Sequence, residues 1–71
     1  MNKPGVVQRM EIELEELTDR LGRAKGFVGS ETFNHLPTVE QDIFKQQVFH
    51  MEGYEKALRD RLGLICKRLG I

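Results

Sequence analysis

The chain has 71 residues, with eleven basic and eleven acidic side chains and a single cysteine, Cys66. At that size one core is barely self-sufficient, and a lone thiol excludes both an internal disulfide framework and a thiolate zinc set, so association is the remaining source of stability. The balanced charge makes no case for general nucleic-acid binding, and no apolar run approaches the ~18 residues of a membrane span.

Met1 to Gly5 reads as a short leader that opens into no signal-peptide core, with Pro4 in the first helical turn. A reducing, cytoplasmic setting is expected. From there an unbroken heptad runs through Val7, Met10, Leu14, Leu17, Leu21, Ala24 and Val28. Alternating steps of three and four place these side chains on one narrow stripe, the seam that a partner helix must cover. Helix one is therefore predicted over about residues 4–28. Its acidic first half and its basic end (Arg20, Arg23, Lys25) follow the order that the helix dipole favours, while Gly22 and Gly26 weaken it.

Residues 29–37 form the connection. Ser30-Glu31-Thr32-Phe33 has the length of one short turn, and Phe33 with Leu36 is expected to plug the open end of a hairpin. Thr38 followed by Gln41 has the pattern of a capping box. Helix two is predicted from about residue 38 to 69, stopped by Gly70, with Gly63 the better candidate for a bend. It answers the first stripe with Phe44, Val48, Met51, Leu58, Leu62, Ile65 and Leu69, and Glu55 is the one misfit. The predicted fold is all-α: a single domain of residues 1–71 in which an antiparallel, coiled-coil-like two-helix hairpin assembles into an oligomeric bundle.

The helix lengths differ, roughly 35 Å against 45 Å at ~1.5 Å per residue. Pairing back from the loop sets Val28 near Gln41 and Val7 near Leu62, so that Leu64, Ile65, Leu69 and Ile71 overhang. Ile12, Ile43 and Phe49 also lie off the seam. Apolar surface left wet in this way predicts a homo-oligomer, most simply a dimer, with Phe49, Leu62, Ile65 and Leu69 at its interface.

The informative polar residues flank the seam on helix two: Glu40, Gln47, Tyr54, Arg61 and Arg68, all at g positions. Gln47 offers a donor and an acceptor, Tyr54 a stacking face with a hydroxyl, and Arg61 a planar fork for phosphate or carboxylate. Gln47, Tyr54, Arg61 and Arg68 are the candidate ligand-binding set. The plainer reading is that g positions of any bundle are polar and pair with their neighbours. Glu55 is expected to reach solvent or pair with Arg59, or else to fix the register of an oligomer. The Glu11–Asp19 acidic cluster is expected to be partly neutralised by the Lys56–Arg68 basic stretch. Arg20, Arg23 and Lys25 make a weak anion patch, and Arg-Leu-Gly recurs at residues 20–22, 61–63 and 68–70 as helical sequences commonly do. His35 and His50 have no ligand spacing around them, and Cys66 has no base beside it. No catalytic residue, metal site or cofactor is predicted.

From Phe33 to Leu62 the spacing Phe33-x2-Leu36-x3-Glu40-Gln41-x2-Phe44-x2-Gln47-x3-Met51-x2-Tyr54-x3-Leu58-x2-Arg61-Leu62, preceded by Leu21-x5-Phe27-Val28, resembles short phage-encoded proteins related to a crAss-like phage product. Gln41, Gln47, Tyr54 and Arg61 carry the specific part of that resemblance. It implies a non-catalytic phage accessory protein of the bacterial cytoplasm. By analogy of architecture with small helical-hairpin sponges, the expected function is sequestration of a cyclic or NAD-derived nucleotide signal of host defence, held between subunits. The alternative is an inhibitor or adaptor that docks a protein through the Leu64–Ile71 tail.

Overall fold

The computed structural model describes residues 3–71; Met1 and Asn2 of the expected leader lie outside them. Helix α1 spans Gly5–Val28, a one-turn α2 spans Glu31–Asn34, and α3 spans Thr38–Leu69, with no strand among the described residues. The two long helices lie antiparallel as a rod of 50 × 17 × 14 Å. Its radius of gyration is 16.0 Å, where a compact chain of this length has about 11 Å.

The core is a single file of side chains between the helices. Met10, Leu17 and Leu58 form its buried centre, and Leu14, Met51, Leu62 and Ile65 pack against them half-buried. Val7, Leu21 and Val48 are also buried. All of these belong to the two heptad stripes, because only one face per helix can be hidden when two cylinders meet.

Local chemistry closes the loop end. The Ser30 hydroxyl donates to the Phe27 carbonyl at 2.6 Å and accepts from the Phe33 N–H at 3.2 Å, which ends α1 and starts α2 with one side chain. The turn then drops Phe33, 2% exposed, between Phe27 and Phe44, with ring centroids 5.6 and 5.8 Å away. Phe27 and Phe44 meet edge to face at 5.3 Å, a favoured arrangement of ring quadrupoles. The capping box expected at Thr38 does not form. Pro37 occupies the N-cap without a side-chain bond, and Gln41 instead donates to the carbonyls of Leu36 (2.9 Å) and Asn34 (3.3 Å). With α2 and Pro37 filling the turn, the loop carbonyls need donors, and Gln41 is the side chain in reach.

Pro4 is likewise the N-cap of α1 rather than a member of its first turn; its carbonyl accepts from the Gln8 N–H. At the other end Gly70 adopts the left-handed conformation (φ 76°), which lets the Ile71 N–H reach back to the Cys66 carbonyl at 2.9 Å. Helix α3 runs through Gly53 and Gly63 without interruption.

The register differs from the one counted back from the loop. Phe27 stands against Phe44, and Thr18 against Glu55, so the end of α1 comes level with Phe44 rather than Gln41. The short helix α2 spans the hairpin end and pushes the first turn of α3 beyond α1. Shifting α3 by about one turn draws Ile65 back inside, and the expected overhang shrinks to Leu64 (68% exposed), Leu69 and Ile71.

Candidate functional site

Helix α3 has two kinds of surface: its inner face meets α1, and one exposed flank carries the polar residues at g positions. Gln47, Tyr54, Arg61 and Arg68 are all exposed on one flank. A heptad rises about 10 Å, so they form a line of evenly spaced groups rather than a cluster. Among the described residues no hydrogen bond or ion pair joins one member to the next.

Tyr54 is the member whose surroundings are best defined. Its hydroxyl donates to the Glu13 carboxylate across the helix pair. That bond, together with partial burial of the ring and the negative charge of Glu13, raises the hydroxyl's pKa above its ordinary value, while the nearby Arg61 cation acts in the opposite direction. The site therefore contains a phenol held protonated beside a carboxylate, with a guanidinium one heptad away. Glu13 was not among the predicted residues. One carboxylate in a Glu-rich helix carries no distinguishing pattern, and only the helix pairing selects it.

Glu55 sits beside this line with its side chain 21% exposed. It accepts from the Thr18 hydroxyl at 2.8 Å and stands 3.7 Å from the Arg59 guanidinium, so the Arg59 partner expected from spacing is joined by one from α1. A half-buried carboxylate with two partners is satisfied inside one chain, which removes the need for an oligomer to explain it.

The acidic face of α1 is not neutralised as expected. Among the described residues its ion pair is Glu11 with Lys3 at 2.7 Å, and in the basic stretch of α3 Lys56 pairs with Asp60 at 3.0 Å on its own helix. Lys25 at the end of α1 pairs with Glu52 at 3.3 Å, across the helices. Like most exposed pairs these contribute little, ~0–1 kcal/mol. Among the described residues, of Arg20, Arg23 and Lys25 only Lys25 forms an ion pair across the helices.

Of the four predicted interface residues, Leu62 and Ile65 pack against the chain's own core, whereas Phe49 (71% exposed) and Leu69 face outward. His35 bonds the Glu31 carbonyl through Nδ1, and His50 lies against the Phe49 ring. Cys66 is a half-buried free thiol. Among the described residues no group of three or more His, Cys, Asp or Glu side chains gathers as metal ligands do, and no helix is long and apolar enough to cross a membrane.

No curated protein and no solved structure matches the chain. A family model does, over residues 4–64, a span that takes in the first helix stripe, the second as far as Leu62, the aromatic loop end and the flank from Gln47 to Arg61. The chain belongs to the Sequestin family.

Proposed function

We propose that this protein is a non-catalytic, phage-encoded binder that works in the bacterial cytoplasm as a homo-oligomer and sequesters a nucleotide-derived signal of host defence, such as a cyclic dinucleotide or an NAD-derived nucleotide. The observation that carries the reading is the exposed line of Gln47, Tyr54 and Arg61 on α3, in a chain whose family name denotes sequestration. A base stacks on the Tyr54 ring, the Arg61 fork takes a phosphate, Gln47 meets a base edge, and Arg68 extends the cationic end. One exposed line gives such a ligand a single wall. A second copy supplies the other, and binding without turnover asks nothing more of the site. The chain has little interior in which to exclude water from a reaction, which supports a binder over an enzyme.

Calorimetric titration of the assembled protein with cyclic dinucleotides and with NAD-derived cyclic nucleotides tests this. Micromolar or tighter binding is expected with one of them, weakened at least tenfold by Arg61→Ala and by Tyr54→Ala with helix content unchanged. No heat with any of them, in a folded assembly, rejects the nucleotide reading.

A second reading, an inhibitor or adaptor, rests on Leu64, Leu69 and Ile71, which remain exposed at the free end. A stoichiometric protein retained by the native chain, and lost when residues 69–71 are removed, separates it from the first.

A further inference from the structure

The outer face of α3, turned away from α1, carries a knob and a hole one helical turn apart. The knob is Phe49, 71% exposed, the most exposed large apolar side chain among the described residues. The hole is a shallow depression over Gly53, bordered by Phe49, His50, Glu52 and Lys56. Nothing within the chain requires glycine there: a Cβ on Gly53 meets no atom within 4 Å, yet glycine in mid-helix costs about 1 kcal/mol relative to alanine. Gly22, Gly26 and Gly63 are equally unconstrained, but none has an exposed ring one turn away.

From this we infer that the outer face of α3 is a self-complementary interface, covered by a second copy of the chain in antiparallel, two-fold arrangement. A two-fold axis between Phe49 and Gly53 lays each Phe49 ring over the second copy's Gly53. The same operation brings Val39 (64% exposed) within one residue of level with the second copy's Leu64 (68% exposed), on the same flank of the face. A knob and hole on one face of one chain satisfy each other only through such an axis, and a closed two-fold pairing leaves neither unmatched. Gly53 lies at the middle of α3, so both arms of the helix contribute.

The surface area agrees. The chain exposes 5552 Å², about 1,000 Å² more than the ~4,500 Å² of a compact protein of its 8.2 kDa mass. That excess is the scale one partner loses in a stable interface, ~800 Å². The proposal deepens the assembly part of the reading above and holds without its ligand part.

Analytical ultracentrifugation of the full chain at tens of micromolar decides it. The native protein sediments as a dimer or an even multiple. Phe49→Lys removes the knob and Gly53→Gln fills the hole; neither touches the core, and the second improves helix propensity. Each is expected to weaken association at least tenfold with helix content preserved, while Gly22→Gln, at an equally open position of α1, retains the native mass. A monomeric native protein, or native mass in both α3 variants, overturns the interface. An assembly of the expected mass that binds no nucleotide leaves this interface standing and removes only the ligand reading.

Discussion

The two ends of the hairpin face the same problem, how to finish a core one side chain wide, and meet it differently. At the loop end, residues within seventeen positions of one another do the work: Ser30 joins two helices, Gln41 ties the loop carbonyls, and Phe27, Phe33 and Phe44 pack into a plug. At the free end, the half-buried Ile65 is drawn in by a register set far away, while Leu64, Leu69 and Ile71 stay exposed. The loop end is closed by short-range contacts that cost little chain entropy, and the free end depends on the whole length of the pairing. One end therefore closes itself by local contacts, and the other leaves apolar side chains exposed.

The strongest way to break that comparison is to remove its two anchors in turn. Phe33→Ala empties a 2% exposed site and is expected to cost about 3–5 kcal/mol, much of the ~4–11 kcal/mol that a chain of this length possesses. Leu69→Ala, at 45% exposure, is expected to cost under ~1 kcal/mol. Urea unfolding followed by circular dichroism reads both, and equal losses at the two ends would overturn the asymmetry.

A finer test concerns the hinge of the loop end. Ser30→Ala removes both the bond to the Phe27 carbonyl and the cap on α2, with an expected loss of about 1 kcal/mol measured in the same way. Ser30→Asp keeps an acceptor for the Phe33 N–H but no donor for the Phe27 carbonyl, and is expected to fall between the two.

The smallest effect lies between the ends, where Tyr54 meets Glu13. The hydroxyl's pKa is raised in the folded chain, so its contribution to stability is complete below pH 10.0, its ordinary value, and is lost as pH rises through the higher folded value. Thermal melts through that range should show the native midpoint falling more steeply than that of Tyr54→Phe. Lys3, raised above 10.5 chiefly by its hydrogen bond to Glu11, has the same sign but is present in both proteins, so the difference isolates Tyr54. Parallel curves would mean that the Glu13 bond is not maintained in solution.

Much of this architecture can be read from spacing alone. Residues at steps of three and four from Val7 to Val28, and from Phe44 onward, demand two helices with facing stripes, because 3.6 residues per turn brings no other positions together. Phe33 as a plug follows from an apolar residue in a polar connection. The same periodicity placed Gln47, Tyr54, Arg61 and Arg68 on one flank, since side chains seven residues apart share a direction whatever the partner. Register, caps and partners needed the tertiary structure. Apolar a and d positions alternate at each helical turn, so two stripes pair about equally well when slid by one turn, and the chain in the connection, with α2 in it, sets where α1 meets α3. That slide chose Thr18 for Glu55 and took Ile65 from the surface into the core, while the partner of Tyr54, Glu13, is known only from the packed helix pair. Phe49 was left outside by periodicity, but the depression beside it exists only because the backbone at Gly53 is bare, a matter of shape that a one-dimensional pattern does not encode.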